Sequence, residues 1–178
     1  HPRMTVTLPE TLHTFYREAS DAQLAYCSPL DVHEARHLDG IITIRGDANT
    51  RELSGIPPAK QVLTQKAARR LAALIQRKDN WTLTLFPTPG YAQDADMALA
   101  DFEAFVVAAM HLDNENPVAV WQQQSRRQEK LVRRLQATRQ VRIVAPDTDL
   151  TLSIAGRTPL NDDGRRNMPG GEVFTGPV

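Results

Sequence analysis

The sequence predicts an α/β fold: a Rossmann-like, mostly parallel sheet with helices on both faces, followed by an antiparallel β segment. Strand-like and helix-like stretches alternate up to about residue 140. One of the strand-like runs, Ile41-Ile42-Thr43-Ile44, is continuously apolar, as strands of buried parallel sheets are. From about Val141 the pattern changes to short β runs joined by a turn. Residues 1–140 are therefore read as an α/β domain and residues 141–178 as a β-rich segment.

Taken in order, Met4-Thr5-Val6-Thr7-Leu8 alternates and is β-branched, which predicts a strand. Pro9 and Glu10 open a helix to about Tyr26, with Leu12, Phe15, Ala19 and Ala22 at helical spacing. A short helix over 29–38 is closed by Asp39-Gly40, and the Ile41 strand follows. After a loop over 47–56, Pro58 starts a long amphipathic helix to about Lys78. Trp81 to Phe86 is a strand stopped by Pro87-Thr88-Pro89-Gly90. Helices follow over 91–112, with a break near Asp94, and over 117–138. Val141–Val144 and Leu150–Ile154 form a hairpin around Ala145-Pro146-Asp147-Thr148-Asp149. A polar loop over 156–166 leads to a last strand, Glu172-Val173-Phe174-Thr175.

Charge narrows the function. The 178 residues carry 21 basic and 21 acidic side chains, a balance that argues against nucleic-acid or membrane partners. Arg126, Arg127, Lys130, Arg133 and Arg134 cluster at helical spacing around Glu129 and read as a solvated helix face. The single cysteine, Cys27, excludes an internal disulfide framework and reads as a small buried apolar side chain. No apolar run approaches the roughly 18 residues needed to cross a bilayer, and no signal peptide is evident. These features predict a cytoplasmic protein. The chain begins His1-Pro2-Arg3 and stops at Gly176-Pro177-Val178, just after a strand-like run, so a fragment of a longer product is expected.

Two constellations could carry chemistry. His33-Glu34-Ala35-Arg36-His37 places two imidazoles on one helix face, as single-zinc proteases do, with the Glu as general base. The helix is short and polar, however, and no third ligand stands out downstream; Glu52 is the nearest candidate. His13 and His111 have no partners at ligand spacing, and Arg45-Gly46-Asp47 and Asn80-Trp81-Thr82 read as a turn and a strand start rather than adhesion or glycosylation signals. No phosphate-binding glycine loop is present, since Gly170-Gly171 precedes a strand rather than a helix. The second constellation is Asn167-Met168-Pro169-Gly170-Gly171-Glu172-Val173-Phe174-Thr175-Gly176-Pro177. Its Pro and Gly residues force a turn, and Glu172 sits at the mouth of the strand. On the residues alone, Glu172 is either a surface residue of an edge strand or a carboxylate presented to a hard or borderline cation.

This last segment resembles the Asn-x-Pro-x-x-Glu-Val-Phe-Thr-Ala-Pro signature of the thermophilic metalloaminopeptidase family of the aminopeptidase T and aminopeptidase S type, departing only at Gly176. Asn80-Trp81-Thr82 with the turn at 87–92, Asn116-Pro117 to Trp121, and Thr148-Asp149-Leu150-Thr151 are similar to other stretches of that family. The resemblance covers most of the chain, more convincingly after Ile41. It implies an aminopeptidase that holds two divalent ions (Zn, Co or Mg), acts on peptides by two-metal hydrolysis and forms a homodimer with an enclosed site. It implies that Glu172 is the first carboxylate ligand in chain order. The family's other ligands, a second Glu, two His, a Tyr and an Asp, would lie beyond Val178, and a further segment would precede His1. The alternatives are a single-zinc protease built on His33, Glu34 and His37, and a binding or assembly domain without chemistry.

Overall fold

The computed structural model describes residues 3–8 and 10–178. Its elements in chain order are helices α1 (Thr11–Glu18), α2 (Asp21–Leu24) and α3 (Pro29–His37), then strand β1 (Ile41–Arg45). Helix α4 (Pro58–Gln76), strand β2 (Trp81–Leu85) and helices α5 (Pro89–Asp94), α6 (Leu99–Ala109) and α7 (Pro117–Gln136) follow. The chain ends with β3 (Gln140–Ala145), β4 (Thr148–Ser153), β5 (Leu160–Asp162), β6 (Asn167–Met168) and β7 (Glu172–Phe174). The α/β class holds, with a three-stranded sheet of order β1-β2-β6 and two antiparallel pairs, β3-β4 and β5-β7. The chain divides into two compact units. One comprises residues up to Trp81 together with Leu85–Glu103; the other comprises Thr82–Thr84 and Ala104–Val178.

In the first unit, β1 bonds to the residues that flank β2. The Ile41 amide donates to the Asn80 carbonyl at 2.9 Å, and the Arg45 carbonyl accepts from the Phe86 amide at 2.6 Å. The expected buried strand is instead an edge strand, with Ile42 76% and Ile44 64% exposed. The run from Met4 to Leu8 forms no strand, and Met4, Val6 and Leu8 stand in solvent. Alternation makes a strand possible, but only a partner edge satisfies its backbone. The expected helix from Pro9 to Tyr26 is two helices, and Pro9 itself lies outside the described residues. The break falls at Ser20, whose hydroxyl accepts from the Gln23 amide while the Gln23 side chain accepts from the Ser20 amide. That reciprocal capping box starts a new helix at Asp21.

Tyr16, Leu24 and Ile56 form an apolar cluster in this unit, with Ala19, Leu53 and Leu63 packed against them. Lysines at the two ends of α4 close other helices. Lys60 Nζ donates to the carbonyls of Tyr16 and Arg17 at 2.9 and 3.1 Å, and Lys78 Nζ donates to Leu38 and Arg36 at 2.5 and 3.2 Å. Both supply cationic donors to carbonyls that helix ends leave unpaired. Farther along the chain, Tyr91 Oη donates to Asp47 Oδ2 at 2.5 Å and Thr88 Oγ1 to the Asp47 carbonyl at 2.6 Å, fixing the loop after β1. Burial, then the Asp47 bond, push the Tyr91 phenol above its usual value.

In the second unit, β3 and β4 form the expected hairpin around Pro146 and Asp147, with Ala145 opposite Thr148 and Asp147 at φ 56°. Two strands fall in or beside the loop expected over 156–166. Strand β6 pairs in parallel with β2, Leu83 opposite Asn167, and β5 pairs antiparallel with β7, Asp162 opposite Glu172. The turn between β6 and β7 is set by its glycines. A Cβ on Gly170 would lie 2.7 Å from the Gly164 amide nitrogen and 2.8 Å from the Asp162 carbonyl oxygen. Gly171 has φ 112°, where L side chains are strained. The Met168–Pro169 peptide is cis.

The obstruction at Gly170 is backbone, which cannot step aside as a flexible side chain can. Gly170→Ala is expected to cost about 1–3 kcal/mol of unfolding free energy. A urea titration followed by circular dichroism measures it, and an unchanged midpoint contradicts the close approach.

Candidate metal centre

Helix α7 begins where Asn116 Oδ1 accepts from the Ala119 amide at 3.0 Å, with Pro117 in the first turn. Trp121, Ser125, Gln128 and Val132 follow at steps of four, three and four residues and so share one face. Trp121 Nε1 donates to the Met110 carbonyl at 3.0 Å, and a Cβ on Gly164 would lie 2.9 Å from the indole ring. Ser125 Oγ donates to Asp163 Oδ2 at 2.6 Å, and the Ser125 carbonyl accepts from Asn161 Nδ2 at 3.4 Å. Gln128 is 8% exposed. Its Nε2 donates to the Glu172 carbonyl at 2.8 Å and to the Asp162 carbonyl at 3.2 Å, so one amide spans both strands of the β5-β7 ribbon. The opposite, basic face of α7 stands in solvent as expected, with Arg133 3.6 Å from Glu129.

Glu172 is thus held by its backbone and left free at its side chain. Its carboxylate has no hydrogen-bond or ion-pair partner among the described residues and is exposed. Asp162 stands directly opposite across the ribbon. Directly opposed residues share a sheet face with Cβ atoms about 4.5–5.5 Å apart, and like charges there repel. Asn167 Nδ2 donates to Asp162 Oδ2 at 3.1 Å and takes up part of that charge. A free carboxylate on a pinned ribbon is an oxygen donor suited to a hard or borderline divalent cation. It fits one part of a metal centre rather than a whole one. Among the described residues, no group of three or more His, Cys, Asp or Glu side chains is arranged to hold an ion.

The His33, Glu34 and His37 set is placed differently. The two imidazoles stack at a centroid distance of 4.2 Å, and His37 Nδ1 lies 2.7 Å from the His33 carbonyl, a bond to its own helix. Glu34 Oε1 pairs with Arg3 Nη1 at 2.5 Å. A general base needs a free carboxylate facing the metal; this one is occupied, and no third ligand joins the pair among the described residues. Glu52 lies in the loop before α4 with one buried carboxylate oxygen lacking a partner among the described residues.

No motif in the sequence singles out Asp163, Ser125 or Gln128. Asp163 is 8% exposed. Burial works to raise its carboxyl pKa, but the Ser125 hydroxyl and the Arg165 guanidinium outweigh it, and the group is held below its ordinary value. Arg165 Nε and Nη2 both lie 3.1 Å from Asp163 Oδ2. In the unfolded chain an Asp titrates near about 3.9. With the folded value lower, the stabilisation is fully present above that pH and is lost as pH falls through the folded value. Urea midpoints are therefore expected to hold from neutrality to about pH 5 and to drop below about pH 4. Asp163→Asn should lower the midpoint at pH 7 and make the acid fall shallower; a variant with the wild-type acid profile contradicts this assignment.

Comparison with known proteins gives these features a setting. The chain matches the family model described as thermophilic metalloprotease (M29) over residues 2–178. It is 31% identical to an aminopeptidase T of Thermus thermophilus over 152 residues, which is 73% of this chain and 37% of that protein. It is 32% identical to an aminopeptidase T of Thermus aquaticus over 150 residues, 71% of this chain and 36% of that protein. The chain therefore spans little more than a third of the length of these curated relatives. With a match that runs from Pro2 to its last residue, this chain belongs to the thermophilic metalloprotease (M29) family.

Proposed function

We propose that the protein is a metal-dependent aminopeptidase that hydrolyses N-terminal residues from peptides, and that Glu172 is one of its metal ligands. The observation that carries this reading is the free Glu172 carboxylate on a ribbon pinned from behind by Gln128, within a chain of the M29 family. The name of both Thermus relatives supports the exopeptidase activity. The finer reading has two divalent ions (Zn, Co or Mg), the remaining ligands lying in the part of the family's length that this chain does not span. It also has a homodimer in the cytoplasm. Among the described residues, no helix is long and apolar enough to cross a membrane.

Ions bound at such a centre supply Lewis-acid chemistry: activation of water as a nucleophile and polarisation of a scissile carbonyl. The chain's own contribution is placement. The Pro169-Gly170-Gly171 turn sets the direction of the strand, Gln128 fixes the Glu172 main chain, and the side chain is left to donate an oxygen. Ser125 and Arg165 keep Asp163 ionised and bound on the side of the ribbon facing α7.

The test uses the chain extended to the full length of its relatives. Glu172→Ala should lower leucyl-anilide hydrolysis at least about 100-fold. It should leave the metal-free stability within about 0.5 kcal/mol, because the side chain is exposed and unpartnered. His37→Ala should retain activity. Full activity in Glu172→Ala removes the ligand assignment, and loss only in His37→Ala transfers it to α3.

A further inference from the structure

We infer that Gln128 is a positioning residue for the metal centre. Its single buried amide sets where the Glu172 carboxylate stands, and so sets how tightly the ion is held. The inference rests on the proposed role of Glu172 and adds a residue forty-four positions earlier in the chain.

The geometry separates Gln128 from an ordinary packing residue. Its Nε2 reaches two carbonyls on two different strands, Asp162 at 3.2 Å and Glu172 at 2.8 Å, and the second belongs to the proposed ligand itself. The Asp162 carbonyl also receives the Gly171 amide at 2.6 Å. The residue before Glu172, the residue opposite it and its own carbonyl are thus tied to one point on α7. The side chain is buried, and its Oε1 has no partner among the described residues. A buried acceptor left unpaired costs free energy. Gln128 therefore lies on α7 at a local expense, and what it secures is the ribbon. Ligands held by an outer partner lose about 10–100-fold in metal affinity when that partner is removed. Here the partner acts through the backbone of the ligand, because the turn and strand leave Glu172 no side-chain support of its own.

The experiment measures zinc affinity by calorimetric titration, and the visible spectrum of the cobalt-loaded protein, in the full-length chain. Gln128→Met keeps the volume and removes the donor. It is expected to weaken zinc about 10–100-fold and to alter the cobalt bands. Gln128→Asn keeps a buried amide but is one carbon shorter, cannot span both carbonyls, and should weaken zinc to a smaller extent. It decides the matter if the Met variant does not fold. A purely structural role would lower the melting temperature of the metal-free protein while leaving the zinc affinity and cobalt bands of the folded variants at wild-type values, and that result overturns the inference. Glu172→Gln runs alongside. If it binds zinc as wild type does, the ligand reading itself falls. If it is weakened while both Gln128 variants are not, only the role of Gln128 falls.

Discussion

A buried amide between two strands is the constraint on which the candidate site depends. Strands β5 and β7 are three residues each, too short to hold a register by ladder bonds alone. Side chains on one face of α7 supply what the ladder lacks. Gln128 ties both strands, Ser125 holds the side chains on either side of Asp162 (the Asn161 amide and the Asp163 carboxylate), and Trp121 covers the turn at Gly164. Each bond alone contributes on the order of 1 kcal/mol. Together they convert a flexible polar segment into a fixed mount.

The elements legible in the sequence were those whose signals are local. Pro58 marked the start of α4, and the Pro146-Asp147 turn marked the β3-β4 hairpin. What stayed hidden depended on partners distant in sequence. Strand β6 is two residues long and exists because Leu83 lies beside Asn167; no periodicity can show in so short a run. The Ile41 run looked buried because apolar continuity normally means two covered faces, yet its faces are open here. The Met4–Leu8 run alternated correctly and found no edge.

The candidate site divides along the same line. The Pro-Gly-Gly turn and Glu172 were readable because each residue type has a narrow structural use, and Gly170 and Gly171 are required by contact and by φ respectively. Gln128 was lost in a polar stretch from Gln122 to Lys130 that reads as one solvated surface. A signal did exist: Gln128 shares a stripe with Trp121 and Val132, and a glutamine aligned with a tryptophan and a valine belongs to an inward face. Asp163 gave no such sign, since three successive polar residues in a loop look alike until Ser125 comes within reach of one of them.

The seating of an indole ring against a backbone without a side chain has an optical consequence. The chain holds two tryptophans, and one of them, Trp121, lies where the turn at Gly164 closes over α7. Any loosening of the turn would admit water to that ring and shift its emission toward longer wavelengths. The molecule thus carries an intrinsic fluorophore at the base of the segment that presents Glu172.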